Sequence, residues 1–218
     1  EYIAKEFEEY GLEMLNSINY LQTFELQTAR KNSLHRAPDG RYIPRPASTE
    51  EAKYGHNVIG YVPAKDKNAD YIIVGAHFDH IGMQGEKFYP GADDNASGIV
   101  ALLSLAKMLK SSGITPEYTV LFCAWDGEEK GLLGSKYFVN KWYDERNLAK
   151  DSICCYMNFD MVGRTANPAS PAVTFAWNDN YPYLRSECEA VAEKIAAPFT
   201  VLYDQRFGDG KGGYDYAP

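Results

Sequence analysis

Apolar residues along this chain fall into short dense runs separated by glycine, proline and charge. Tyr71–Val74, Tyr118–Trp125 and Cys154–Phe159 are nearly unbroken and short, the pattern of strands buried on both faces. His56–Val62, Ala172–Trp177 and Phe199–Tyr203 read as further strands, and Asn19–Thr28 alternates in the same manner. Helical spacing marks Glu1 to about Tyr10, closed by Gly11, then Gly131–Trp142 and Tyr183–Ile195. Ala96–Leu109 is apolar on more than one face, so it predicts a mostly buried helix ending near Gly113. Ala64–Ala69 is turn-like, and Lys31–Glu51, with four prolines or glycines, predicts a long surface loop. Strands that alternate with helices and are apolar throughout imply an α/β chain with a largely parallel sheet covered on both faces. No internal repeat, low-complexity tract or linker divides it, so one domain is expected.

Composition narrows the function classes. At 218 residues the chain can bury a large core, and its formal net charge of -8 argues against nucleic acid or an anionic membrane as partner. The same charge suits cations, whether metal ions or ammonium groups. No apolar run is long enough to span a bilayer. The cysteines, Cys123, Cys154, Cys155 and Cys188, form no C-x-x-C pair, which disfavours a thiolate zinc site and predicts buried free thiols. His35 and His56 read as surface or loop-edge residues.

The chemistry gathers where the strands end. His77 and Asp79 follow the first run, Asp126, Glu128 and Glu129 the second, and Asp160 the third. In open parallel sheets, ligands bind beyond the carboxyl ends of the strands. Asp93 and Asp94, at the start of the Ala96 helix, would join them there. Taken singly, each cluster has a plain reading: Asp93, Asp94 and Asn95 as helix caps, Glu128 and Glu129 as a solvated pair, His77 as a structural histidine. Together they would place many carboxylates on one edge, where they repel unless cations neutralise them. Imidazole nitrogen and carboxylate oxygen are ligands for zinc and its neighbours, and a pair of metal ions is the simplest answer.

Four motifs, GAHFDHIG, PGADDNASG, WDGEEKGLLGS and NFDMVG, run in order from Gly75 to Gly163. Together they resemble the co-catalytic di-zinc aminopeptidases of bacteria, of the Aeromonas and Streptomyces type. The resemblance implies a phosphorylase/hydrolase-like three-layer α/β sandwich with a mixed, mainly parallel central sheet. It implies release of N-terminal residues from peptides through a metal-bridging water and a glutamate general base. By position, His77, Asp93, Glu129 and Asp160 match metal ligands, Asp93 being the carboxylate shared by both zinc ions. Glu128 matches the general base and Asp79 the carboxylate that orients His77. A cis peptide is implied between Asp93 and Asp94. The implied partners are peptides with a free N-terminus, and the implied location is periplasmic or secreted. Gly212–Pro218 resembles a segment near the family's substrate pocket, with Tyr214 where serine is common.

The family also uses a second histidine ligand from a later segment. The histidines here are His35, His56, His77 and His80, so that ligand is expected beyond Pro218. A single zinc peptidase domain lacking its last strand and helix, with little activity as it stands, is therefore expected. Two other readings remain: a one-zinc glutaminyl cyclase-like acyltransferase on a related fold, and a metal-binding relative without activity. The first lacks the paired aspartates of PGADDNASG; the second would have no need of Glu128.

Overall fold

A computed structural model of the chain describes residues 1–16, 18–26, 34–36, 42–44, 53–146, 152–165, 167, 169–177, 183–196 and 198–203. The elements in order are α1 (Tyr2–Tyr10), β1 (Glu13–Met14), β2 (Leu21–Leu26), β3 (Leu34–Arg36), β4 (Tyr42–Pro44), β5 (Lys53–Val62) and β6 (Tyr71–His77). There follow β7 (Gly82–Gln84), β8 (Lys87–Tyr89), α2 (Gly98–Ser111), β9 (Thr119–Trp125), α3 (Leu133–Arg146) and β10 (Ile153–Asn158). The last elements are β11 (Ala172–Phe175), α4 (Tyr183–Lys194) and β12 (Thr200–Tyr203). Each strand and helix expected outside the 31–51 stretch is present, with ends shifted by a few residues. Within that stretch β3 and β4 pair as a short antiparallel ladder where a loop was expected.

The central sheet is mixed and runs β1-β5-β9-β6-β10, with β2 also on β5. Its parallel part is β9, β6 and β10, while β5 lies antiparallel to its neighbours β1, β2 and β9. The sandwich is written in the alternation of side chains. Phe122 and Ala124 of β9 join Val74 and Ala76 of β6 in a core with Phe7 of α1 and Leu102 of α2. Leu121, Cys123 and Trp125 point the other way, to Ile59, Ile73 and Phe138 of α3. A large apolar side chain buried in this way contributes roughly 1.5–3 kcal/mol, so the middle of the sheet is a stiff platform. Register aligns the strand ends: His77 stands opposite Trp125, and Asn158 opposite Gly75.

The cysteines are all free, but only Cys123 is buried; Cys154 is exposed and Cys155 and Cys188 are half-buried. The expectation of buried thiols is thus corrected for three of them. Cys154 and Cys155 are neighbours on β10, which has an exposed face, so one of any adjacent pair must turn outward. None of the described helices is long and apolar enough to cross a membrane. Gly212–Pro218, including Tyr214, lies outside the described residues, as does the His35 side chain.

Candidate metal centre

His77 closes β6 with its side chain only 1% exposed. Its Nε2 lies 3.2 Å from Asp94 Oδ1, 3.7 Å from Asp160 Oδ1 and 4.0 Å from Glu128 Oε2. The other ring nitrogen, Nδ1, is 3.1 Å from the backbone oxygen of Asp79 and 3.7 Å from its Oδ1. A carbonyl oxygen can only accept, so Nδ1 carries a hydrogen and Nε2 is the nitrogen offered to the carboxylates. One ligand atom from each of His77, Asp94 and Asp160 falls within 4.8 Å of the others.

The carboxylate beside His77 is therefore Asp94, where the sequence reading put Asp93. Asp93 faces away: its Oδ1 accepts the Gly163 N–H at 3.0 Å and its Oδ2 lies 3.3 Å from Arg164 Nε. The reason is local backbone shape. The turn Ala92–Ser97 enters α2, but Asp94 (φ −107°, ψ 89°) and Asn95 (φ −138°, ψ 42°) are not helical within it. In such an opened backbone successive side chains point to different sides, so a slip of one residue exchanges ligand and scaffold. The cis peptide is likewise one residue later than expected, at Asp94–Asn95.

The electrostatics are those of a site short of positive charge. Burial disfavours charge on His77, yet the Asp160 and Asp79 carboxylates facing its two nitrogens overcome it and push its pKa up to about 11. Burial, then the charge of Asp160, raises the Asp94 carboxyl above its ordinary range. Burial, then the charge of Asp94, does the same to Glu129. Asp79 goes the opposite way: burial would raise it, but His77 and the backbone N–H groups of Glu128 and Glu129 bring it down. Asp160 Oδ1 is buried and has no hydrogen-bond donor among the described residues. A buried carboxylate oxygen without a donor is costly, and a cation at this point would satisfy it. A nitrogen and two carboxylates also form a donor set that suits zinc.

Glu128 and Glu129 arrive on the turn after β9. Both are set by Asp79, whose Oδ1 accepts the Glu128 N–H at 2.9 Å and whose Oδ2 accepts the Glu129 N–H at 3.3 Å. Glu128 reaches the His77 cluster; Glu129 is outside the three-donor group, though electrostatically coupled to Asp94. Asp126 is directed elsewhere, accepting the His56 N–H at 2.8 Å through Oδ2. Sequence reading missed Asn57, fully buried on β5. Its Nδ2 donates to Gly134 O and Gln22 Oε1, both at 2.9 Å, and its Oδ1 accepts the Asp126 N–H at 3.2 Å. The signal was a lone amide directly before the apolar pair Val58 and Ile59, which needs partners once it is buried.

The chain is 34% identical over 140 residues to the aminopeptidase YwaD of Bacillus subtilis, a match covering 64% of this chain and 29% of that protein. The structure of a zinc aminopeptidase from Bacillus subtilis superposes with a TM-score of 0.58 at 29% identity, over 76% of this chain and 38% of the other. A glutaminyl cyclase from an Acidobacteriales bacterium shares the fold with a TM-score of 0.63, covering 99% of this chain and 65% of the other, at 17% identity. This chain spans about a third or less of the length of the curated relatives it matches. Residues 57–218, which carry His77, Asp94, Glu128, Glu129 and Asp160, match the model of peptidase family M28, and the chain belongs to that family.

Proposed function

We propose that this chain carries the catalytic centre of a zinc aminopeptidase, which hydrolyses N-terminal residues from peptides. The observation that carries the reading is the convergence of His77 Nε2, Asp94 and Asp160, whose buried Oδ1 has no donor among the described residues. His77, Asp94 and Asp160 would hold one zinc ion. Asp94, coupled to both Asp160 and Glu129, would take the shared role first given to Asp93, and Glu129 would serve as a ligand for a second ion. Zinc, when bound, acts as a Lewis acid that polarises a carbonyl and makes water more acidic.

The chain's own residues supply the rest. Glu128 is mostly buried, with Oε2 at the edge of the cluster and its backbone pinned by Asp79. It takes a proton from the attacking water at that carboxylate and returns it to the leaving amine. Asp79 keeps the Nδ1 hydrogen of His77 in place and so aims Nε2 at the ligand position. The acidic surroundings suit the ammonium group of a peptide N-terminus. Stripping metal with a chelator should abolish release of chromophore from an aminoacyl anilide, and zinc should restore it. Metal-independent turnover would sink the reading.

The second reading is the one-zinc acyltransferase. Among the described residues there is one three-donor cluster, as a single-metal enzyme requires. A peptide beginning with glutamine separates the two: a peptidase liberates free glutamine, whereas a cyclase releases ammonia and leaves the chain length unchanged.

A further inference from the structure

Asp94 and Asp160 come from different elements, one before α2 and one after β10, and their like charges oppose close approach. The His77 ring stands between the two carboxylates, but it does not fix the backbone segments that carry them. The Asn95 side chain, 1% exposed, lies between the two segments. Its Nδ2 donates to Phe159 O at 2.8 Å, and its Oδ1 accepts the Met161 N–H at 3.2 Å. One amide thus grips the backbone on both sides of Asp160. The same Oδ1 accepts the Gly98 N–H at 3.0 Å, which ties the grip to the first turn of α2. Ser97 and Asp93 continue the seam: Ser97 Oγ accepts the Val162 N–H at 3.0 Å and Asp93 Oδ1 that of Gly163. Residues 93, 95 and 97 therefore face the 159–163 segment, while Asp94 faces His77.

The packing along this seam leaves no slack. A Cβ placed on Gly98 would lie 2.3 Å from Phe159 O and 2.5 Å from Asn95 Oδ1. Any larger residue there would wedge the two segments apart.

We propose that Asn95 is a positioning residue: it sets the separation of Asp94 and Asp160, and through it the zinc affinity of the His77 cluster. This rests on the reading of that cluster as a zinc centre. Groups that orient metal ligands change affinity by about 10–100-fold when removed, and Asn95→Ala should fall in that range. Ser97→Ala, which removes one oxygen and adds no volume, should cost less. Gly98→Ala, the wedge, should weaken zinc binding with the Asn95 side chain still present.

The test is competition for zinc against a chromophoric chelator, in the full chain, with the folded fraction of each variant fixed by circular dichroism. The visible spectrum of the cobalt(II)-loaded protein reports ligand geometry independently of stability. Weakened zinc binding and an altered cobalt spectrum in folded Asn95→Ala support the proposal. Wild-type affinity together with a wild-type spectrum overturns it, because a merely structural amide would lower only the melting temperature. If Asn95→Ala does not fold, Ser97→Ala decides by the same measurements. Failure of the underlying reading looks different: His77→Ala would then bind zinc as the wild type does.

Discussion

Asp94 and Asp160 are held by side chains that grip backbone, whereas Glu128 and Glu129 are held by their own N–H groups. On the first flank Asn95 and Ser97 bind the peptide groups around Asp160. On the second, Asp79 accepts the two N–H groups of the glutamate turn, and Asn57 pins that turn's two ends at Asp126 N and Gly134 O. The first flank fixes carboxylates against one another, as a metal ligand set needs. The second fixes a stretch of backbone, from which the Glu128 side chain extends to the edge of the His77 cluster. The contrast matches the proposed division of labour, with ligands on one flank and a proton carrier on the other.

The largest expected effect tests that division directly. Glu128→Gln keeps shape but cannot take the proton, and general acid–base groups contribute about 10²–10⁴-fold. We expect kcat to fall by that factor while zinc bound at the His77 cluster is unchanged. Loss of zinc together with kcat would break the comparison, because Glu128 would then belong with the ligands.

A stability experiment addresses the second flank. Asn57→Leu takes the acceptor from the Asp126 N–H and a donor from Gly134 O, and a buried donor left unsatisfied costs about 1–3 kcal/mol. The melting temperature and activity should both drop, with zinc affinity at His77 retained. If affinity falls in proportion, the two flanks are one mechanical unit.

The pH dependence of zinc binding sharpens the first flank. In the zinc-free protein His77, with its pKa raised to about 11, carries a proton that zinc must displace. Affinity should therefore rise with pH over the neutral range, by about tenfold per unit for one proton released. Toward acid the slope should steepen, since Asp94 and Glu129 are also raised and begin to hold protons. The stability linkage has its own sign: a raised histidine stabilises the zinc-free fold below its ordinary value of 6.5, and that contribution is lost as pH rises through about 11. Calorimetry in buffers of different ionisation enthalpy counts the protons; none released per zinc would contradict this account.

What was legible in the sequence was the part governed by periodicity. Apolar runs gave away β6, β9 and β10, and the rule about strand ends then collected His77, Asp79, Glu128 and Asp160 on one edge. What was not legible depended on single torsions and single partners. Nothing in PGADDNASG says which aspartate turns inward, because that is decided by the non-helical backbone at Asp94 and Asn95. Asn95 did read as a helix cap, and its Oδ1 does accept the Gly98 N–H, but its grip on Phe159 and Met161 crosses more than sixty residues of chain. Asn57 could be noticed as a lone amide, but its partners could not be named, because they are at positions 22, 126 and 134.

The smallest expected effect separates Asp93 from Asp94. In Asp93→Asn the amide oxygen can still accept the Gly163 N–H, so the seam beside Asp160 stays closed. What is lost is the ion pair with Arg164, whose side chain is 72% exposed. Exposed pairs of this kind contribute about 0–1 kcal/mol. Zinc affinity should therefore move by no more than a few fold, in the range of roughly 1 kcal/mol. Asp94→Asn should behave otherwise, since it removes a charged donor 3.2 Å from His77 Nε2 and leaves two members of the three-donor group. Measured side by side by chelator competition, the two variants should differ by well over an order of magnitude. The reverse order would restore Asp93 as ligand and require the 92–97 turn to rotate by one residue in the zinc-bound protein. It would also pull Asp93 Oδ1 off Gly163 and open the seam, so Asn95→Ala would then cost little affinity. The pair of aspartate variants thus checks both the ligand assignment and the clasp built around it.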